Sequence, residues 1–152
     1  MTLIPTRRLE KMKEQLFFDE DGDLFYRSTG KIATHNHGRY LRLWFGGSKY
    51  YAHHVVWFLA YDRWPYCIDH RNGDCKDNRP SNLREATMSQ NITNADYGPL
   101  RGIERHGRGF RVRFKANGVR KIYGTYDTAE EAAVAYKKFV EKEYGEFAFH
   151  LR

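Results

Sequence analysis

The chain has 152 residues, with 26 Lys or Arg against 19 Asp or Glu, a formal net charge of +7 and a pI near 9.4. That length holds one or two small domains, and the basic excess favours a polyanionic partner over an acidic or neutral substrate. Two cysteines, Cys67 and Cys75, are too few for a disulfide framework and lack the spacing of a zinc knuckle. No stretch approaches about 18 apolar residues, and Met1 to Arg8 lacks the apolar run of a secretory leader. The expected setting is cytoplasmic, with reduced thiols.

From Leu16 to about Tyr51, short apolar runs alternate with turn signals at Asp21-Gly22-Asp23, Thr29-Gly30 and Gly46-Gly47-Ser48. This spacing predicts a small antiparallel sheet of hairpins, with strands at residues 24–26, 40–45 and 50–51. Val55 to Tyr61 is a continuous apolar run extending through Trp64 to Pro65. It predicts a buried helix that braces the next segment of the chain.

Cys67 to Asp69 then reads as a short strand ending at His70, residues 71–82 as a loop rich in Asn, Asp, Gly and Pro, and Leu83 to Ala86 as a second strand. Thr87-Met88-Ser89-Gln90 has the spacing of a capping box, which places Asn91 in the first turn of a helix.

A linker is expected at Ala95-Asp96-Tyr97-Gly98-Pro99, dividing the chain into domains at 1–97 and 98–152. In the second, Phe110, Val112 and Phe114 alternate with Arg111, Arg113 and Lys115, so apolar groups fall on one strand face and cations on the other. Asn117-Gly118 turns the chain into a return strand from Arg120 to Tyr126. Thr128-Ala129-Glu130-Glu131 is a further capping box, opening a helix to Tyr144 with Gly145 as its stop. The apolar face of that helix comprises Ala132, Ala135, Tyr136, Phe139 and Val140.

Charge is concentrated in the second domain. Residues 101–121 carry eight cations (Arg101, Arg105, Arg108, Arg111, Arg113, Lys115, Arg120 and Lys121) and one acid, Glu104, whereas a solvated face ordinarily mixes the two signs. Arginine on an exposed sheet face can meet phosphates and base edges, which makes this segment the expected contact with double-stranded DNA.

The chemistry points to the stretch before it. Hydrolysis of a phosphodiester needs an activated water and relief of negative charge on phosphoryl and leaving oxygens. His70 is a natural base near neutral pH. Asp69 and the Asn91 amide supply the oxygen ligands that one Mg²⁺ or Mn²⁺ prefers. Successive strand residues point to opposite faces, so Asp69 and His70 can share a site only where the strand ends, and the Asn72-Gly73 turn signal places that end just beyond.

The segments Ala52 to Trp57, Ile68 to Asp74, Asp77-Asn78-Arg79, Ser81 to Thr87 and Gln90-Asn91 resemble the HNH endonuclease family of phages and mobile elements. Arg101-Gly102-Ile103, Tyr123 to Thr128, Glu130 to Ala133, Ala135-Tyr136 and Gly145 to Ala148 resemble the Apetala-two or ethylene-response-factor DNA-binding domain. This pair of domains in this order is similar to HNH homing endonucleases, from bacterial or phage-infected cells. The resemblance implies an α+β fold: β-hairpins and a helix leading into a ββα-metal nuclease fold, then a three-stranded antiparallel sheet packed on one helix.

It further implies that His70 is the general base and that Asp69 and Asn91 hold the metal. Asn82, counted with His70 in the catalytic set, would shape the loop through backbone hydrogen bonds. Arg101, Arg113, Lys115 and Arg120 take DNA-facing positions, Arg111 joins them by strand parity, and Arg105 and Arg108 extend the patch. His54 matches a family histidine in a packing or capping role. Histidines 35, 37 and 53 default to loop or surface, and Arg71, Arg79 and Arg84 to phosphate contact or solvent. Glu104, Arg113 and Ile122 depart from the plant pattern, so its recognition sequence does not carry over. One such site cuts one strand, and double-strand cleavage needs a homodimer or sequential attack. The competing reading is a sequence-specific DNA-binding regulator with an idle nuclease site.

Overall fold

The computed structural model describes residues 4–88, 90–91 and 102–148. Packing groups Met1–Glu85 in one unit and Ala86–Arg152 in another. The expected linker and the boundary at residue 97 lie outside the described residues.

The first unit opens with helix α1 (Thr6–Gln15), which the sequence pattern does not announce. Its charged composition hides a narrow apolar seam at Leu9 and Met12, continued by Leu16, a spacing of three and four that reaches the core. Strands β1 (Leu16–Phe18) and β2 (Leu24–Tyr26) pair antiparallel, with Leu16 opposite Tyr26. The turn between them carries Gly22 at φ +79°, and a Cβ built there would collide with the Asn78 carbonyl carbon and lie 2.5 Å from the Arg79 nitrogen.

A second sheet of order β3-β4-β5 comes next, from β3 (His35–His37), β4 (Tyr40–Phe45) and β5 (Ser48–Tyr51). Leu43 and Phe45 point into the core while Trp44 between them is exposed, the period of two expected of a sheet with one wet face. Helix α2 (Ala52–Tyr61) buries Val55, Val56, Trp57 and Phe58 against that sheet and the first hairpin. It stops at Tyr61, short of the expected Trp64, because Asp62 turns left-handed (φ 56°) and caps the Phe58 carbonyl with its N–H. Strands β6 (Ile68–His70) and β7 (Leu83–Glu85) form an antiparallel ladder, its ends within a residue or two of those expected.

In the second unit the capping box at residue 87 is formed: the Thr87 N–H donates to Gln90 Oε1 at 2.7 Å, and the Gln90 N–H to Thr87 Oγ1 at 3.2 Å. Beyond it, β8 (Ile103–His106), β9 (Gly109–Ala116) and β10 (Val119–Tyr126) make a sheet of order β10-β9-β8. Helix α3 (Ala129–Tyr144) opens on the expected reciprocal capping box of Thr128 and Glu131. Its buried stripe, Ala132, Tyr136, Val140 and Tyr144, repeats every four residues and packs on Val112 and Ala116.

Gly22→Ala should therefore destabilise the protein by about 3 kcal/mol in urea unfolding, combining left-handed strain with collision against backbone. Gly30→Ala, at φ +63° with nothing within 4 Å of the added Cβ, should cost only about 1 kcal/mol.

Candidate active site

Strand β6 ends at His70, where the Gly73 N–H donates to the His70 carbonyl at 2.9 Å and turns the chain. The alternation of side chains need not continue past that point. Asp69 is 2% exposed and His70 4%, and the Asp69 carboxylate lies near enough to act on the imidazole. Directly across the ladder from Asp69 sits Arg84. Two of its guanidinium nitrogens, Nε and Nη2, each donate to Asp69 Oδ2 at 2.7 Å. Arg84 is therefore buried and paired within the protein, a placement that corrects its assignment to phosphate or solvent; a guanidinium can be buried here because its counter-charge is buried with it.

The loop from residue 71 to 82 is closed by Asn82. The Arg71 N–H donates to the Asn82 carbonyl at 2.8 Å, the Asn72 N–H to Asn82 Oδ1 at 3.1 Å, and Asn82 Nδ2 to the Asp77 carbonyl at 2.8 Å. Arg79 folds onto Asp77 through Nε at 2.8 Å and Nη2 at 2.5 Å, which holds the Asp77 carboxyl below its ordinary range. This loop delivers Asn78, 1% exposed, whose Oδ1 lies 3.2 Å from His70 Nε2. An amide oxygen only accepts, so Nε2 carries the hydrogen in this contact. Burial lowers the His70 pKa, partly offset by the Asn78 bond and by Asp69, Asp74 and Asp77. The imidazole is thus neutral at physiological pH.

His53, expected on the surface or in a loop, is 6% exposed. Its ring stacks on Tyr51 at 5.3 Å between centroids and meets His70 edge-on at 5.0 Å. Its Nδ1 is buried with no hydrogen-bond partner among the described residues, as is Nδ2 of Asn78. Sequence reasoning missed both residues: His53 because only the helix start hints at burial, Asn78 because its partner is an imidazole eight positions away. His54 packs edge-on against Trp64 at 5.8 Å, and burial with the nearby His70 pushes its pKa down to about 4. His35 and His37 are exposed on β3.

Asn91 lies in the second unit, where its N–H donates to the Thr87 carbonyl at 3.0 Å. In that unit Arg111, Arg113, Lys115 and Arg120 fall on one sheet face by register, with Ile122 opposite Arg113. Glu104 lies on the same face and takes Arg111 Nη2 at 2.9 Å and Arg113 Nη2 at 2.6 Å. Arg105, opposite Phe110, has the other parity and stands over the Phe110 ring at 5.8 Å. Lys121 likewise pairs with Glu143 of α3 at 3.2 Å. Arg108 occupies the β8–β9 turn, and Arg101 lies outside the described residues.

Residues 50–92 match the family model of the HNH endonuclease. The chain thus carries an HNH endonuclease segment and is a nuclease. Among solved structures it is similar to one described as "DNA binding and cleavage by the HNH homing endonuclease I-HmuI", at 17% identity and a TM-score of 0.43, covering 86% of this chain and 78% of that one. No curated protein matches. No described helix is long and apolar enough to cross a membrane.

The histidine cluster sets an acid limit on stability. His53 is held well below its ordinary 6.5 by burial, His54 and His70, and His54 is held near 4. Between those values and 6.5 the unfolded chain binds protons that the folded chain refuses. Stability is full above about pH 6.5 and falls as pH drops toward 4. His54 alone should remove about 2 kcal/mol between pH 7.5 and 5. Urea unfolding at the two pH values checks this, and His54→Gln should flatten the difference.

Proposed function

We propose that the chain is a metal-dependent DNA endonuclease of the homing type, with His70 as general base. The observation that carries this reading is a buried, neutral imidazole whose Nε2 is held by Asn78, beside a carboxylate, within the segment that matches HNH endonucleases.

By its chemistry the buried Asp69 carboxylate suits a hard divalent ion. Asp69 and Asn91 offer oxygen donors, and Mg²⁺ or Mn²⁺ commonly takes few protein ligands, completing its shell from water and phosphate. Among the described residues no group of three or more His, Cys, Asp or Glu is placed to hold a metal. Arg84 orients the Asp69 carboxylate by gripping one oxygen. When bound, the ion would supply positive charge to the phosphoryl and leaving oxygens.

The chain's own part begins with the proton. Neutral His70 accepts it at Nδ1 from the attacking water, and the Asn78 bond keeps the ring in the tautomer that can do so. Attack at phosphorus expels the 3′ oxygen, which leaves 5′-phosphate and 3′-hydroxyl ends. Burial of the ring excludes bulk water, and Asn82 fixes the loop that carries Asn78. The sheet-on-helix arrangement of residues 102–148 supports reading the second unit as an Apetala-two-like domain, whose Arg111, Arg113, Lys115 and Arg120 bind DNA.

His70→Ala should lower nicking of supercoiled plasmid at least about 100-fold in Mg²⁺, and EDTA should abolish nicking by the wild type. Equal nicking by the two proteins would remove His70 from the mechanism, while binding without any cleavage would favour the idle regulator. If about six phosphates are neutralised, log K against log salt should have a slope of about −5. A flat dependence measured by anisotropy would count against the cationic sheet as the DNA interface.

A further inference from the structure

The hydrogen bond between His70 Nε2 and Asn78 Oδ1 fixes one atom of the imidazole. Nε2 lies close to the axis of the Cβ–Cγ bond, so a contact at that atom resists rotation of the ring about the bond only weakly, and such torsions are intrinsically broad. A base must also hold its plane, because a proton is transferred only along an aligned lone pair. The Asn78 bond does little for the plane.

A second ring stands where it can hold that plane. Tyr51 ends β5 and His53 falls in the first turn of α2, and their rings lie nearly parallel, at 15° with centroids 5.3 Å apart. His53 then meets His70 at 85° and 5.0 Å. Tyr40 of β4 closes in on both imidazoles, 5.5 Å from His53 and 6.3 Å from His70, and His54 stands perpendicular to His53 at 4.7 Å. Edge-to-face contacts between rings are directional, so turning the His70 ring would drive it into His53. His53 has no room to yield: it is 6% exposed, on a helix whose Val55 and Val56 are wholly buried. Its Nδ1 is buried without a hydrogen-bond partner among the described residues, whereas a ring kept for hydrogen bonding ordinarily has its buried nitrogen paired.

We propose that His53 is a positioning residue of the nuclease: its flat ring, backed by Tyr51, holds the plane of His70 so that the base stays aimed at the attacking water. The assignment of His70 as base rests on the function proposed for the chain, whereas the packing of the two rings does not. His53 acts only through His70 and touches no substrate in this role. Its loss therefore bears on kcat and leaves KM alone.

The test compares full-length wild type, His53→Ala and His53→Phe, with urea unfolding to confirm that each is folded. His53→Ala should lower kcat for plasmid nicking in Mg²⁺ at least about tenfold, with KM within about twofold of wild type. His53→Phe, which restores a flat ring, should recover most of the lost rate. Nitrogen NMR of the histidine rings gives a second readout that needs neither metal nor substrate: the His70 Nε2–H signal, sharp in wild type and in His53→Phe, should broaden or vanish in His53→Ala. His53→Gln, which has bulk but no ring, gives the same comparison where His53→Ala does not fold. A folded His53→Ala with wild-type kcat, or with an unchanged His70 signal, would overturn the proposal. So would equal loss of rate in His53→Phe and His53→Ala, which would assign the role to the nitrogens. If wild type nicks no DNA, the nuclease reading fails, and the NMR signal still decides whether His53 sets the ring.

Discussion

The ion pair between Asp69 and Arg84 is the constraint on which the rest of the candidate site depends. Two strands of three residues would not hold together alone, and these two carry opposite charges whose side chains are only 3% and 6% exposed. Removing one partner would strand the other in the interior, at a cost of about 3–5 kcal/mol. Slipping the register by one residue would turn Asp69 to the far face and separate the charges. The ladder is thereby locked in the alignment that ends at His70 and lets the chain turn there.

The Asn82 loop builds on the alignment that the ladder fixes. Asn82 commits its side chain to the backbone of Asn72 and Asp77, and the loop so formed brings Asn78 to His70. Two buried polar atoms around the imidazole, His53 Nδ1 and Asn78 Nδ2, have no partner among the described residues. A buried polar group left unsatisfied costs about 1–3 kcal/mol, and such groups collect where a protein arranges chemistry rather than stability.

Much of this architecture is legible in the sequence, for physical reasons that differ by element. The second unit can be read closely because its signals are local: alternation along β9, Asn117-Gly118 at the turn and Thr128 with Glu131 at the helix start each act over a few residues. Helix α2 is legible as a buried apolar run, but its end is not, since the left-handed Asp62 is a tertiary choice masked by the stronger stop signal of Pro65. Helix α1 escapes because its seam is two residues wide within a charged decapeptide. At the site, the spacing of Asp69, His70 and Asn82 is visible in one dimension, whereas the Asp69 to Arg84 pairing is cross-strand and the burial of His53 depends on which helix face meets the sheet. Parity assigns Arg111, Arg113 and Lys115 to one face. Placing Arg105 on the other requires the hairpin register, which only the folded chain supplies.

The contact of Gly22 with the Asn78–Arg79 backbone bears on what can be moved between proteins. The family match begins at residue 50, yet the segment that shapes the histidine's loop leans on a turn nearly thirty residues earlier, with no room for even a methyl group. A segment that keeps the Asn78 loop as it stands accordingly begins at or before the first hairpin. A graft cut at the family boundary would carry Asp69, His70, Asn78 and Asn82 and leave behind the wall against which their loop is set.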